Sequence, residues 1–196
     1  MVVATDGAAM ITVHELALPG LLLLESPVHG DERGFFREWF WSSELADAGV
    51  NFTSCQANLS RSRRNSVRGL HYSLAPEGQA KLVTCADGAL DDVVVDVRVG
   101  SPTFGQYEYV SLLAEEGKSL YVPEGLAHGF CVTSASATIA YLLSSPYDVA
   151  TECGFDPFDE AVGVPWPVVG EPILSARDTG APSLADRQRS GELPIF

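Results

Sequence analysis

The chain reads as all-β, a β-sandwich or jelly roll with a few short peripheral helices, on three observations. First, twelve prolines and eighteen glycines punctuate short runs rich in Val, Leu, Tyr and Phe. Second, the run "LDDVVVDVRVG" alternates: Val93, Val95, Val97 and Val99 share one face, and Asp92, Val94, Asp96 and Arg98 share the other. Third, about eight to ten such runs without an internal repeat fit two packed antiparallel sheets around one main core.

The elements follow in order. Residues 1–9 read as a flexible extension, because patterned sequence begins near Met10; residues 10–196 then form a single domain. "PGLLLLESPV" reads as a strand, and "RGFFREWF" as a second with aromatics on both faces. "SSELADAG" predicts a short helix with a serine cap and Gly49 closing it. "QAKLVTCADG" and the alternating run read as two strands joined around Asp87-Gly88. The valine face is expected to pack on a sheet, and the polar face to meet water or a polar pocket. "YEYVSLLAEE", "SLYVPEG", "HGFCVTS" and "ATIAYLLSS" complete the strands. After Tyr147 the pattern fades, apart from one short helix expected around Ser183 to Arg189.

Composition narrows the function. Hydrophobic content of 46% against 19% charged residues supplies a core without metal or disulfide staples. A net charge of −14 disfavours nucleic acid and anionic membranes as partners. The N-terminus lacks a basic region and a long apolar stretch, and Cys55, Cys85, Cys131 and Cys153 form no C-x-x-C pair. Reduced, buried thiols in a cytoplasmic protein are the expectation. Yet four of the ten arginines, Arg61, Arg63, Arg64 and Arg68, crowd into eight residues, so a local positive site is compatible with an acidic whole.

Several residues invite chemistry. His71 alone reads as a satisfied core histidine, but Gly69 precedes it and Lys81 follows across the turn-like "APEGQ". If the two runs adjoin, Arg68, His71 and Lys81 share one cavity. Strict alternation puts Arg68 and His71 on opposite faces, so a bulge near Gly69 is required. Lys81 is either a snorkelling strand-end lysine or a fixed charge beside a developing oxyanion. Tyr141 shares a face with Ile139 and Leu143, as a packed aromatic or a proton donor. Arg177 and Asp178 in "LSARD" read by themselves as a surface turn. "VPEGLAHGF" resembles half of the cupin signature, with His128 entering a strand, but His71 is followed by Tyr72 and Ser73. There is no H-x-H, and His14 and His29 lie far off, so no metal site is expected.

Taken together, "DERGFFREWF", "CQANLS", "VRGLHYS", "QAKLVTC", "DDVVVDVRVGSPTFG", "YVPEGLAHGF", "AYLLSSPYD" and "LSARD" are collinear with one family. From about Leu18 to Pro194 the chain resembles the dTDP-4-dehydrorhamnose 3,5-epimerases, deoxysugar-nucleotide enzymes on a cupin-like jelly roll.

The resemblance implies His71 as the base that removes a proton from carbon, oriented by Asp178 or by Asp92. It implies Lys81 for the enolate oxygen and Tyr141 for returning a proton to the opposite face. Arg68, with Arg33, is expected at the diphosphate, Phe36, Glu38, Gln56 and Asn58 at the nucleotide, and His128 at the sugar. Tyr147 and Arg177 join the substrate-binding group. It further implies a dTDP-sugar substrate, no cofactor, a homodimer sharing N-terminal strands, and a place in dTDP-L-rhamnose or related deoxysugar biosynthesis. A C3-only epimerase and a noncatalytic sugar-nucleotide-binding cupin remain the alternatives.

Overall fold

The computed structural model describes residues 11–196; the expected extension at 1–9 lies outside them. Thirteen strands appear among the described residues, more than the eight to ten expected, because short edge strands escape periodicity. The order is β1 (Thr12–Glu15), β2 (Leu22–Glu25), β3 (His29–Asp31), β4 (Gly34–Phe36), α1 (Ser42–Asp47), β5 (Gln56–Arg63), β6 (Val67–Ser73) and β7 (Lys81–Asp87). Then come β8 (Ala89–Asp96), β9 (Tyr107–Leu113), β10 (Lys118–Val122), β11 (Leu126–Val132), β12 (Ser136–Leu143), β13 (Glu152–Gly154), α2 (Ala176–Thr179) and α3 (Leu184–Ser190).

Two antiparallel sheets face each other as a jelly roll. One runs β1-β2-β10-β7-β12-β5 and the other β13-β6-β11-β8-β9, with β3 and β4 as a separate hairpin. Between the sheets lies a core that includes Val83, Val94, Leu120, Phe130 and Ile139. The outer face of the six-stranded sheet is covered by α1 and its flanks, where Leu45, Val50 and Phe52 pack on Leu22, Leu24 and Leu82. Burying such side chains contributes about 1.5–3 kcal/mol each.

The other outer face corrects an expectation. Val93, Val95 and Val97 pack not on a sheet but beneath the C-terminal segment, with Phe155, Leu184 and Leu193. The aperiodic tail therefore supplies the cover that the valine face requires. Its polar companions turn inward instead: Asp92 and Asp96 are fully buried. Asp96 accepts from Arg98 Nε and Nη2, from Ser101 and from Thr103.

Other boundaries shift for local reasons. In "RGFFREWF" only Gly34–Phe36 is a strand. Arg37 leaves the ladder to donate to Thr84 Oγ1 and the Cys85 and Lys118 carbonyls, pinning the following segment to the six-stranded sheet. Helix α1 starts after Trp41, with no side-chain cap, so the expected serine cap is absent; Gly49 closes it at φ 84°. Helix α3 begins with the Ser183–Asp186 capping box. All four cysteines are free, with Cys85 and Cys131 buried but Cys55 exposed and Cys153 half-buried, against the expectation of four buried thiols. Among the described residues no helix is long and apolar enough to cross a membrane.

Candidate active site

Between the two sheets a cavity of about 620 Å³ opens, and it gathers ten of the fourteen expected site residues. Its two walls come from different sheets, which corrects the idea that the runs carrying His71 and Lys81 adjoin. Strand β6 belongs to the five-stranded sheet and β7 to the six-stranded one. The "APEGQ" turn carries the chain from one wall to the other, so His71 and Lys81 meet across the interior rather than side by side.

The five-stranded wall depends on a bulge. Its strand β6 pairs with β11 as His71↔His128 and Arg68↔Phe130, so three steps on β6 match two on β11. The extra residue falls at Gly69–Leu70, where Gly69 has φ 116°. A Cβ at Gly69 would stand 2.7 Å from Gly129 Cα, so the crossing tolerates only glycine. The slip returns Arg68 and His71 to the same inward face while Leu70 stays in the outer core. Arg68 Nε donates to Ser62 Oγ at 2.9 Å.

Each histidine of this wall has its own carboxylate. His71 Nε2 lies 2.7 Å from Asp178 Oδ1, and His128 Nε2 lies 2.8 Å from Asp92 Oδ2. The carboxylate behind His71 is thus Asp178, and Asp92, buried and outside the cavity lining, pairs with His128. Asp178 sits on α2, an element the sequence pattern did not announce, whose N-cap Ser175 accepts from the Asp178 N–H. It is buried, not on a surface turn. Burial raises its pKa, but the hydrogen bond from His71, with Ser175 and Arg177, holds the carboxyl below the usual range. An ionised Asp178 accepts the Nε2 proton, which leaves Nδ1 with the lone pair. Burial pushes Asp92 up, partly offset by His128 and Lys81.

The six-stranded wall carries the opposing groups. Register pairs Tyr141 with Val83 and Asn58, and Leu143 with Lys81 and Gln56, so Gln56, Asn58, Lys81 and Tyr141 share the inward face. Lys81 is buried and makes no ion pair among the described residues. Desolvation depresses its pKa, and the negative charges of Glu152 and Asp92 counter this only in part. Burial raises the Tyr141 phenol, with Arg68 opposing, so Tyr141 keeps its proton. Gln56 Oε1 accepts from the Tyr147 N–H at the rim, and Arg177 reaches the Glu152 carbonyl at 2.9 Å.

Three expected residues stay away. Arg33, Phe36 and Glu38 do not line the cavity. Arg33 pairs with Asp31 on the β3–β4 hairpin and is 85% exposed, and Phe36 is 62% exposed. Conversely, Glu152, Gln79 and Ser175 line the cavity and were not anticipated. Glu152 lies on the three-residue strand β13, too short for any periodic signal.

An open two-sheet jelly roll with a His–carboxylate pair on one wall and a lysine and tyrosine on the other defines a class, the cupin-like sugar-nucleotide epimerases. The family model for dTDP-4-dehydrorhamnose 3,5-epimerase matches residues 15–186, and the chain belongs to that family of isomerases. It is 45% identical over 187 residues to the dTDP-4-dehydrorhamnose 3,5-epimerase of Mycolicibacterium smegmatis, covering 95% of this chain and 92% of the relative. The crystal structure of NovW, a 4-keto-6-deoxy sugar epimerase from the novobiocin cluster of Streptomyces spheroides, superposes with TM-score 0.92 at 42% identity, over 99% of this chain and 97% of that one. ChmJ, a 3'-monoepimerase from Streptomyces bikiniensis in complex with dTDP-quinovose, gives 0.89 at 43%, over 93% and 92%.

Proposed function

We propose that this protein inverts C3 and C5 of dTDP-4-dehydro-6-deoxy-D-glucose, giving dTDP-4-dehydro-L-rhamnose by proton exchange through an enolate. The observation that carries this reading is the opposition of His71–Asp178 on one sheet to Tyr141 and Lys81 on the other.

The chemistry follows from the C4 ketone, which acidifies the hydrogens on C3 and C5. His71 Nδ1 takes the C3 proton, and the electron pair moves into the C3–C4 bond and onto the C4 oxygen. Lys81 stabilises that oxygen, with His128 beside it. Tyr141 then delivers its proton to the opposite face of C3, and solvent restores both side chains. The same pair repeats the exchange at C5. Asp178 holds the productive tautomer of His71 and stabilises its imidazolium. Arg68 takes the diphosphate, Gln56 and Asn58 the nucleotide, and Tyr147 and Arg177 close the rim.

A homodimer completes the reading. The β3–β4 hairpin presents Phe35 and Phe36 to solvent, and its Arg33, with Glu38 just beyond, does not line the cavity described above. In a second copy these residues serve the partner's nucleotide. Mixing inactive His71→Ala with inactive Arg33→Ala protein restores part of the activity if sites are shared. Absence of restoration in a verified mixed dimer overturns the shared site.

The deciding experiment is incubation with dTDP-4-dehydro-6-deoxy-D-glucose in deuterated water, followed by NMR. Deuterium at C3 and C5, with inverted product, is the expected result. The likeness to the ChmJ 3'-monoepimerase favours a second reading, in which deuterium enters at C3 alone. No exchange by folded protein overturns both.

A further inference from the structure

Gly154 ends β13, which pairs with β6 so that Gly154 lies opposite His71. Its backbone torsions are open to any residue, since it is absent from the glycines with positive φ. Conformational need therefore does not explain a glycine here. Space does: a Cβ at Gly154 would lie 2.8 Å from His71 Cδ2 and 2.9 Å from the Leu70 carbonyl oxygen. Glycine weakens a strand interior and marks a place of close approach.

The contact falls on a particular edge of the ring. Cδ2 is bonded to Nε2, the nitrogen that meets Asp178 at 2.7 Å. The strand is also held in place from behind. Arg187 Nε on α3 donates to the Gly154 carbonyl at 2.8 Å, and its Nη1 is fixed by Glu192 at 2.7 Å. The Phe155 N–H donates to the Leu70 carbonyl at 3.1 Å, closing the ladder next to the ring. Strand β13 thus has little room to retreat from an added methyl, and the imidazole is left to move.

We infer that Gly154, clamped by Arg187, is a positioning residue that sets the imidazole plane of His71 so that Nε2 meets Asp178 and Nδ1 is offered to the sugar carbon. This rests on His71 as the base. Gly154 touches neither substrate nor reacting atoms; it acts through His71.

The test is Gly154→Ala, alone and in an Asp178→Asn background. Displacing a base by about one ångström lowers the rate by about 10²-fold. Deuterium exchange at C3 falls by that order in Gly154→Ala, with dTDP affinity unchanged, because the added methyl meets His71 and the Leu70 carbonyl and not Arg68, Gln56 or Asn58. In the Asp178→Asn background the same substitution adds little, because the geometry it would disturb is already lost. Three outcomes overturn the inference: near wild-type exchange, loss of dTDP binding in step with rate, or the full loss repeated in the Asp178→Asn background. Should Gly154→Ala not fold, Arg187→Gln replaces it, with a smaller rate loss that Asp178→Asn again masks; full activity in that variant overturns the clamp. A readout free of turnover separates this inference from the epimerase reading. Imidazole NMR shows the His71 Nε2 proton held and deshielded by its hydrogen bond to Asp178 in wild type, and that signal is lost in Gly154→Ala. Its persistence in the variant overturns the positioning role whether or not the wild type exchanges deuterium.

Discussion

His71 Nε2 and Asp178 Oδ1 lie 2.7 Å apart, joined across 107 positions of chain. The bond commits Nε2 to donating and leaves Nδ1 as the basic atom. An asparagine at 178 offers an NH2 as readily as an oxygen and no longer stabilises imidazolium. Asp178→Asn therefore lowers deuterium exchange about 10²-fold or more, with dTDP affinity kept. Calorimetric titration of dTDP beside NMR exchange rates checks both halves.

Tyr141 faces His71 from the opposing sheet, so removing its hydroxyl separates exchange from inversion. In Tyr141→Phe, His71 still takes a proton, trades it with solvent and returns deuterium to the same face. Exchange continues while inverted product falls about 10²-fold. Equal loss of both sinks the two-face assignment.

Lys81 carries a buried charge that no carboxylate pairs among the described residues. Its depressed pKa means that the ammonium is lost as pH rises through a value below the ordinary 10.5. The raised Tyr141 phenol is still protonated there. The alkaline limb of the rate profile thus belongs to Lys81, and Lys81→Arg moves that limb upward if the longer side chain fits. Lys81→Met lowers the rate about 10²–10³-fold and raises the melting temperature, since an uncompensated buried charge is replaced by an apolar chain.

Asp96 supplies an acid-sensitive anchor. Burial alone would raise its pKa, but Arg98, Ser101 and Thr103 pull the carboxyl down to about 2. A folded pKa below the unfolded one contributes stability above about pH 4, lost as pH falls towards 2. The contribution at neutral pH is roughly 2 kcal/mol. Asp96→Asn therefore destabilises the protein by about that amount at pH 7 and much less near pH 2, read from denaturant unfolding at both pH values.

Much of this was legible from residues alone. Alternation marked β8 and its two faces, because a period of two survives wherever one strand spans several residues, but the burial of Asp92 and Asp96 came only from the structure. The glycines flagged the bulge, since Gly69 was needed to bring Arg68 and His71 to one side. Collinear motifs pointed to the family and to ten residues that do line the cavity. Other features left no periodic trace. Strand β13 has three residues and α2 has four, so Glu152, Gly154 and Asp178 sat in apparent coil. The hairpin carrying Arg33 and Phe36 matched the family motif, yet nothing local says that these side chains stay out of the lining of their own cavity.

The sequence by itself determined which side chains are available and which strands can bury a face, because those depend on local spacing and on apolar surface. Only the tertiary structure decided the partners. It set His71 and Lys81 on opposing sheets, gave Asp178 to His71 and Asp92 to His128, and brought Gly154 against the imidazole. Such pairings join residues tens of positions apart, and long-range packing of the two sheets and the C-terminal cover selects them, not any property of the neighbouring chain.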